Sequence, residues 1–409
     1  MHLLLVHQNF PGQFRDLGPM WLAQGHRITA LSTAQPPALD CGWEGLEHVR
    51  YSWDSEADTS PEVRGRTVGD VCSQLKQNGL KPDLILAHSG WGEALHLSDV
   101  WPQTPLVVLP ELWGSERALG FGFDPALPTN APDPDLFDSD NTIAALSIEK
   151  SSVALVPCLS QWQSFPNQLR SKIQVLPEGL PLERYGANPS ASISIDGRDW
   201  SPGDKLVTMV SRHLEPLRGL REALKAWPQV HEMHPDAQLL LVGYADAGGY
   251  GVESPRGNSH LADALASLPK HIAATTIHSL GVLSHKAMVS MLQCSACHLA
   301  LSYPYTLSWS NLEALACKAP VVTNLESPLS FEIQDGISGH ICQFGDQRDL
   351  AELIVKLLDN PTLRRDLGEE GYKLIERKFS LDAALEAYDA LFKQLTGKAH
   401  SKTKHVMEA

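Results

Sequence analysis

Three things are scarce in this sequence of 409 residues: basic side chains, long apolar runs and regularly spaced cysteines. Lys and Arg number 33 against 48 Asp and Glu, which gives a formal net charge of −15. Because nucleic acids and anionic membranes attract basic surfaces, this deficit argues against both as general partners. An anionic small-molecule substrate would need a positive site built locally against an acidic background.

Apolar runs are short throughout the chain, and none approaches the roughly 18–20 residues of a membrane-spanning helix. The first run, at residues 3–6, is shorter than the about 7–15 residues of a signal-peptide core, and no basic residue precedes it. We therefore predict no transmembrane segment and a cytoplasmic location.

The seven cysteines follow no disulfide framework, which favours reduced thiols. Cys294 and Cys297 form a CxxC pair, but no second Cys or His pair stands at zinc spacing. Two DxD-like triplets, at 133–135 and 138–140, contain carboxylates that suit hard cations. Neither triplet follows an apolar strand, so we expect solvated loop acids there and predict no metal site.

Apolar runs alternate with amphipathic stretches in both halves of the chain, a pattern typical of βαβ units around a parallel sheet. The sequence predicts an α/β protein with a first domain at 1–185, a Pro-, Gly- and Ser-rich linker at 186–204 and a second domain at 205–378. A helix at 379–396 and a flexible tail at 397–409 follow. The predicted strands are 2–6, 27–31, 83–87, 106–109, 153–156, 205–210, 238–242, 275–279, 296–301 and 320–323.

Two irregular stretches stand out. Residues 120–141 are longer than the loops usual in compact domains. Gly248, Gly249 and Gly251 lack the strand-to-helix setting of a phosphate-binding loop, so we expect a mobile loop there, near a ligand site.

The sharpest motif is VSRHLEPLRG, at 210–219, after the first predicted strand of the second half. Arg212 and Arg218 flank a strand-to-helix turn, and Gly219 lets a ligand approach the backbone at a helix N-terminus. Guanidinium groups are forked, permanently charged donors that suit phosphate oxygens. The motif predicts a diphosphate clamp; the alternative is that both arginines are solvated and pair with surface acids such as Glu215.

A second motif, LSYPYTLSWSNLEALACKAPVVTN at 301–324, joins a strand to a helix that begins near residues 309–311. Ser308 and Ser310, with the first-turn N–H groups, could receive an anion, while Glu313 could accept hydrogen bonds from ribose hydroxyls. The alternative for Glu313 is an ordinary acid near a helix N-terminus, favoured by the helix dipole.

Six ordered segments of the chain resemble the family 4 glycosyltransferases, and within them a bacterial subgroup with a YPFxLSWSxLE-like donor motif. The segments are VHQNFPGQF (6–14), AHSGWGEAL (87–95), LPELW (109–113), SQWQSFP (160–166), SRHLEPLRG (211–219) and YPYTLSWSNLEALA (303–316). The resemblance implies the GT-B fold of two facing Rossmann-like domains, with the last helix crossing back to the first domain. It also implies retaining transfer of a sugar from a nucleoside diphosphate sugar, with no metal and no cofactor.

Individual residues match the family's donor-site pattern. Arg212 and Arg218 take the positions of the Arg and Lys that hold the donor diphosphate, and Glu313 takes the second acid of an E-x7-E motif that contacts the ribose. The first acid falls on Tyr305, so the family's usual contact to the transferred sugar is not carried over. The predicted donor-binding residues are Gly12, Arg212, Arg218, Gly219, Tyr305, Ser308, Trp309, Ser310, Asn311 and Glu313.

In the first half, candidate residues follow predicted strands, where open α/β sheets bind ligands. Glu111 takes a position where many relatives carry a histidine, and it could contact or deprotonate the acceptor; the alternative is a structural carboxylate. His88 and Trp91 could line the acceptor site, although a buried core histidine is an equal alternative. Gly12 could let the backbone approach the substrates or form a tight turn before a helix at 13–24. The predicted catalytic residues are Glu111, Arg212 and Arg218.

Three functions stay open. The first is a retaining glycosyltransferase acting on a glycan, lipid-linked glycan or small-molecule hydroxyl acceptor. The second is a GT-B sugar-nucleotide epimerase or hydrolase. The third is a non-catalytic nucleotide-sugar binding protein, which the replacement of an acid by Tyr305 encourages.

Overall fold

The computed structural model describes residues 1–33, 42–52, 60–133, 135, 137–195, 197–246, 248–250, 253–254, 257 and 259–398. The chain divides into two compact units. Unit 1 comprises Met1–Gly114, Asp135–Leu180 and Leu381–Ala409, and unit 2 comprises Ser115–Pro134 and Pro181–Ser380. Gly251 and the part of the predicted tail after residue 398 lie outside the described residues.

Unit 1 is built on a seven-stranded parallel sheet with the order β3-β2-β1-β4-β5-β6-β7. Its inner strands are continuous apolar runs because helices cover both faces. In β1, Leu3 and Leu5 enter one core, and Leu4 and Val6 enter another on the opposite face. The strands are β1 (His2–Val6), β2 (Arg27–Thr33), β3 (Leu46–Tyr51), β4 (Leu84–His88), β5 (Leu106–Leu109), β6 (Val153–Val156) and β7 (Ile173–Val175).

Local capping favours the start of α2 in unit 1. In α2, the Ser60 side chain accepts a hydrogen bond from the Val63 N–H, and Pro61 fills the first position, where no N–H is needed. The helices are α1 (Leu17–Ala23), α2 (Pro61–Gln77), α3 (Leu97–Val100), α4 (Asp138–Lys150), α5 (Leu159–Ser164) and α6 (Asn167–Arg170).

Unit 2 has a six-stranded parallel sheet with the order β12-β11-β10-β13-β14-β15, and a separate antiparallel pair, β8 and β9. The strands are β8 (Ile193–Ile195), β9 (Arg198–Trp200), β10 (Leu206–His213), β11 (Gln238–Tyr244), β12 (Ile277–Ser279), β13 (Cys297–Leu299), β14 (Val321–Asn324) and β15 (His340–Cys342). The helices are α7 (Leu220–Met233), α8 (His260–Leu265), α9 (Lys270–Thr276), α10 (His285–Cys294), α11 (Trp309–Ala316), α12 (Gln347–Asp359) and α13 (Pro361–Lys378).

The last helix, α14 (Leu381–Thr396), belongs to unit 1 although it follows unit 2 in the chain. Tyr388 and Phe392 pack against Trp21, each with ring centroids 5.4 Å from it. All three side chains are buried, so the return of the chain completes the core of unit 1. The predicted crossing of the C-terminal helix is confirmed.

Several elements differ from the sequence prediction. The predicted linker contains the β8–β9 hairpin, and β3, β7 and β15 were not predicted because they are short or alternate polar and apolar residues. The predicted helix at 13–24 is instead a 3-10 turn, Gly12–Phe14, followed by the shorter α1.

The irregular stretch at 120–141 also differs from its prediction. Residues Ser115–Pro134 cluster with unit 2, although the sequence placed them within the first domain. Helix α4 begins at Asp138, so the second DxD-like triplet lies in a helix rather than a loop. Asp138 and Asp140 stand in its first turn, where the helix dipole favours carboxylates.

Within the part of the chain that the structure describes, no helix is long and apolar enough to cross a bilayer. The six described cysteines are free and buried. Burial raises the pKa of the Cys294 thiol to about 11 and that of Cys297 further, so both are protonated at neutral pH.

Candidate functional site

Arg218 ends a 3-10 turn, Pro216–Arg218, that connects β10 to α7. Its guanidinium is held by the loop after β13: Nη1 donates to Ser302 Oγ at 3.3 Å and to the Thr306 carbonyl at 2.8 Å, and Nη2 donates to Thr306 Oγ1 at 3.2 Å. Nε and the second Nη2 hydrogen make no hydrogen bond to a described residue. One edge of a fixed guanidinium therefore remains able to bind two oxygens of an anion.

The loop that orients Arg218 is itself fixed to the next strand. Ser302 N–H donates to Asn324 Oδ1 at 2.8 Å, and Asn324 Nδ2 returns a bond to the Ser302 carbonyl at 2.9 Å. Gly219, after Arg218, has a φ of +79°, and an added Cβ would lie 2.3 Å from Leu301 Cβ. A glycine is therefore required for α7 to start this close to β13.

Arg212 is exposed, unlike the half-buried Arg218, and its guanidinium forms no hydrogen bond or ion pair with a described residue. Arg218 forms no ion pair there either, so the pairing with Glu215 that the sequence left open is not made. The Glu215 carboxylate instead accepts the Tyr250 N–H at 2.5 Å, and burial raises the pKa of this carboxyl. Residues 248–250 are thereby tied to the VSRHLEPLRG motif.

Helix α11 begins at Trp309 with Ser308 as its N-cap, at the position that the sequence predicted. The Ser308 side chain caps no backbone N–H and instead lies 2.8 Å from Ser310 Oγ. Ser310 donates to the Val210 carbonyl at 3.2 Å, which joins the helix start to β10. Asn311, in the same first turn, is buried. The start of α11 is thus fixed beside the strand that leads to Arg212.

Glu313 is buried, with 3% of the residue exposed, which an ordinary surface acid would not be. Its Oε1 accepts a hydrogen bond from the Tyr185 hydroxyl at 3.0 Å and lies 3.2 Å from His285 Nε2. Neither Tyr185 nor His285 was predicted from the sequence. Both lie far from the motif along the chain, and no local pattern marks them.

Tyr305, which replaces the family's first acid, lies beside Arg218. The centre of its ring is 5.5 Å from the guanidinium carbon, and its ring centroid is 5.7 Å from that of Tyr250. The two tyrosines therefore form an aromatic surface next to the arginine, where the family pattern has a carboxylate.

In unit 1, Glu111 follows β5 and adopts a φ of +58°, which is rare for a residue with a side chain. Gln161 fixes this backbone by donating from Nε2 to the Glu111 carbonyl at 2.8 Å. The carboxylate accepts a hydrogen bond from Gln13 Nε2 and lies 3.5 Å from His88 Nε2. The side chain is 43% exposed, so the carboxylate is held in place yet accessible.

An ordered chain of hydrogen bonds leads to Glu111. His7 Nδ1 accepts the Asn9 N–H at 2.9 Å, so Nε2 carries the proton and donates to Gln13 Oε1 at 2.6 Å. Burial lowers the pKa of His7 to about 3, which keeps the ring neutral. Desolvation acts to raise the pKa of Glu111, but His88, His7 and Gln13 bring it below its usual value. Glu111 is therefore ionised at neutral pH.

The remaining predicted residues of unit 1 surround this chain. The Trp91 ring stacks on His88 with centroids 4.2 Å apart, and the His7 ring lies 4.9 Å from His88. Gly12 has a φ of +46°, and an added Cβ would lie 2.2 Å from His7 Nε2. His88 is buried yet directed at Glu111. The sequence missed His7 and Gln13, although the motif VHQNFPGQF contains both.

Each unit thus gathers its own predicted residues at the carboxyl ends of its parallel strands. Unit 1 brings together Gly12, His88, Trp91 and Glu111, and unit 2 brings together the arginine turn and the start of α11. Among the described residues, no group of three or more His, Cys, Asp or Glu side chains is arranged to hold a metal ion.

Comparisons with known proteins match two successive parts of the chain. Residues 24–185 match a family model described as Glycosyl transferase family 4 group, and residues 195–374 match one described as Glycosyl transferases group 1. A D-inositol 3-phosphate glycosyltransferase of Corynebacterium jeikeium is 25% identical over 230 residues, covering 56% of this chain and 53% of the relative. A GDP-mannose-dependent monoacylated alpha-(1-6)-phosphatidylinositol monomannoside mannosyltransferase of Corynebacterium glutamicum is 27% identical over 207 residues, 50% of this chain and 52% of the relative. The chain thus spans about half the length of these curated relatives.

Solved structures show the same fold. A sucrose-phosphate synthase from Thermosynechococcus elongatus has a TM-score of 0.72 at 17% identity, covering 97% of this chain and 99% of that one. HepE of Anabaena, solved in complex with UDP and glucose, has a TM-score of 0.69 at 16% identity, covering 96% and 100%. The chain is therefore built from a glycosyl transferase family 4 domain and a glycosyl transferases group 1 domain, and it has the GT-B glycosyltransferase fold.

Proposed function

We propose that this protein is a retaining glycosyltransferase that moves a sugar from a nucleoside diphosphate sugar to a hydroxyl group of an acceptor. The observation that carries this proposal is the geometry of Arg218, whose guanidinium is fixed by Ser302 and Thr306 while one edge remains able to bind an anion. A second cation, Arg212, precedes the same turn. In an acidic chain, these arginines supply the local positive charge that a diphosphate needs.

The donor is proposed to bind in unit 2. Arg212, Arg218 and the N–H groups at the start of α11 would contact the diphosphate, since helix N-termini favour anions. Glu313 would accept hydrogen bonds from the ribose hydroxyls. Gly219 would allow close backbone approach, and Tyr305 would face the transferred sugar in place of the family's acid. Ser308, Trp309, Ser310 and Asn311 complete the proposed donor contacts of this unit.

The proposed reaction breaks the bond between the anomeric carbon and the diphosphate oxygen and forms a bond from that carbon to the acceptor oxygen. The arginines would stabilise the negative charge that develops on the leaving diphosphate, so the sugar becomes oxocarbenium-like. The acceptor would attack from the face that the diphosphate leaves, which retains the anomeric configuration. The acceptor proton passes to the departing diphosphate or to a base, and no covalent enzyme intermediate is needed.

Unit 1 is proposed to bind the acceptor. Glu111 is ionised and accessible, so it would accept a hydrogen bond from the attacking hydroxyl and assist its deprotonation. His88 and Trp91, stacked on each other, would line the acceptor site. The acceptor class stays broad: a glycan, a lipid-linked glycan or a small molecule.

The names of similar proteins include GDP-mannose and UDP with glucose, so the donors tested include GDP- and UDP-sugars. Purified protein is incubated with UDP-, GDP-, ADP- and dTDP-sugars and with glycan, lipid-linked and inositol-type acceptors. We expect mass spectrometry to detect a new glycoside. We expect NMR to show that this glycoside has the same anomeric configuration as the donor. Epimerised or hydrolysed donor without a glycoside would favour the epimerase or hydrolase. Binding without any turnover would favour a nucleotide-sugar binding protein.

A further inference from the structure

Residues 115–133, here called the strap, precede α4 in the chain but pack entirely with unit 2. One anchor of the strap is exposed: Arg117 Nη2 contacts the two carboxylate oxygens of Glu326 at 2.7 and 2.6 Å. Exposed ion pairs contribute little, so this contact alone would hold the strap weakly. The second anchor is buried and lies next to the arginine turn.

The buried anchor is Asp124, of which 2% is exposed. Its carboxylate accepts hydrogen bonds from Arg221 Nη2, from the Tyr303 hydroxyl and from the Ala126 N–H at 2.9 Å. Burial acts to raise the pKa of this carboxyl, but the bonds from Arg221 and Tyr303 bring it below its usual range. Asp124 is therefore a buried, ionised and fully paired carboxylate.

Both partners of Asp124 lie on the elements that hold Arg218. Arg221 stands in the first turn of α7, three residues after Arg218. Tyr303 stands in the loop whose Thr306 binds the guanidinium, and the Tyr303 N–H donates to the Leu217 carbonyl at 2.9 Å. One carboxylate thus joins the two segments on either side of the arginine.

Packing around Tyr303 reinforces the contact between Asp124 and these two segments. The Phe123 ring of the strap lies 5.6 Å from Tyr303 and 4.8 Å from Phe344, measured between ring centroids. Gly120 approaches Tyr303 so closely that an added Cβ would lie 2.4 Å from its ring. The strap therefore covers the tyrosine and fixes the direction of its hydroxyl.

We propose that Asp124 is a positioning residue for donor binding: through Tyr303 and Arg221 it fixes the 302–306 loop, and so presents the open edge of Arg218 to the diphosphate. The inference rests on the proposed function, in which Arg218 binds that diphosphate. The physical gain is preorganisation, because a loop ordered during folding need not be ordered again at the expense of binding free energy.

The test uses Asp124→Asn, Tyr303→Phe and the double variant in the full chain, with UDP and GDP as probes in titration calorimetry. We expect each single variant to bind the nucleotide about 5- to 30-fold more weakly. The double variant should lose little more than the weaker-binding single variant, because both changes disturb the same contact between Asp124 and Tyr303. Hydrogen exchange without ligand should accelerate in 302–306 in all three.

Glu332→Gln is the matched control. Glu332 is also a buried carboxylate in unit 2, and it pairs with Lys378. The Glu332 side chain is 2% exposed and that of Lys378 is 36% exposed. For the pair of Asp124 and Arg221 the exposed fractions are 0% and 23%. We expect it to lower the unfolding temperature as much as Asp124→Asn while leaving nucleotide affinity and exchange in 302–306 unchanged. A purely structural role for Asp124 would give the two variants the same profile.

Two failures are distinguishable. If Arg218→Ala weakens nucleotide binding while Asp124→Asn and Tyr303→Phe bind as the wild type does, the positioning role is overturned and the proposed function stands. If the wild type binds none of UDP, GDP, ADP and dTDP, the proposed donor site is overturned, and this inference with it.

Discussion

Unit 1 and unit 2 both place polar side chains where parallel strands end, but they hold them in different ways. In unit 1, neutral side chains, His7 and Gln13, pass hydrogen bonds to the carboxylate of Glu111. In unit 2, hydroxyl and carbonyl oxygens, of Ser302 and Thr306, receive bonds from a guanidinium. One arrangement keeps a negative charge accessible and the other a positive charge. Under the proposed function, one sheet would present a carboxylate to a hydroxyl group, and the other, of similar topology, a guanidinium to a diphosphate.

The largest expected effect comes from Glu111→Gln, which tests the role of the carboxylate in unit 1. The substitution keeps the shape of the side chain and removes its charge. If Glu111 assists deprotonation, turnover should fall by about 100-fold or more, the usual scale for a general base. Affinity for UDP or GDP should not change, because the proposed nucleotide site lies in the other unit. Steady-state kinetics and calorimetry measure the two effects.

Glu62→Gln, which changes an exposed acid of unit 1, is the control for the Glu111 experiment. It should leave both quantities unaltered. If Glu111→Gln causes small and equal losses of turnover and nucleotide affinity, Glu111 is a structural residue that stabilises its loop.

The converse experiment is Arg218→Ala. Nucleotide affinity should fall by about 1.5–3 kcal/mol, the scale of hydrogen bonds to a charged group. Arg218→Lys should recover part of the loss, since it keeps the charge but not the fork. Arg348→Ala removes an exposed arginine of the same unit that pairs with Glu352, and it should bind as the wild type does. Unchanged affinity in Arg218→Ala would refute the diphosphate clamp.

Gly12→Ala tests whether the hydrogen-bond chain of unit 1 depends on its glycine. The backbone strain of a positive φ costs about 1–2 kcal/mol in either Gly12→Ala or Gly25→Ala. Only at Gly12 would the new methyl group also meet His7; at Gly25, whose φ is +84°, nothing lies within 4 Å. Gly12→Ala should therefore lose more turnover than Gly25→Ala when both are assayed below their unfolding temperatures. If the two variants have equal turnover, the position of the His7 ring does not affect turnover.

The smallest expected effect concerns pH. Burial lowers the pKa of His7 in unit 1 to about 3 and that of His298 in unit 2 to about 4, from 6.5. Below pH 6.5 the unfolded chain binds these protons and the folded chain does not, so stability is lost as the pH falls. Each histidine contributes up to about 1.4 kcal/mol per pH unit.

Urea unfolding between pH 6.5 and 5 measures this dependence. His7→Asn and His298→Asn should each reduce the slope of unfolding free energy against pH, whereas His271→Asn, at an exposed histidine, should not. A slope that neither of the two buried variants changes would show that other groups cause the acid sensitivity.

Elements with a strong local signal were predictable from the sequence. Continuous apolar runs identified β1, β5 and β6 at their observed bounds. The GT-B fold and the glycosyltransferase domains are confirmed. The retaining mechanism, the nucleotide-sugar donor, the residue roles and the cytoplasmic location stay predictions.

What the sequence did not reveal depends on contacts between distant residues. Tyr185 reaches Glu313 across 128 positions, and Asp124 reaches Arg221 across 97. The strap has an acidic, Pro-rich sequence that resembles a surface loop, and it is its contacts with Tyr303, Arg221 and Glu326 that assign it to unit 2. His7 was missed because its motif was interpreted through the turn at Gly12 rather than through the ring that the turn accommodates.

The strap also bears on exchanging donor specificity between related proteins. A chimera cut in the predicted linker at 186–204 would take β10, α7 and the arginine turn from one parent and residues 115–133 from the other. The new donor unit would then carry a foreign partner for Tyr303 and Arg221. Transplantation of unit 2 therefore requires two segments of sequence, of which the shorter is encoded inside the N-terminal half.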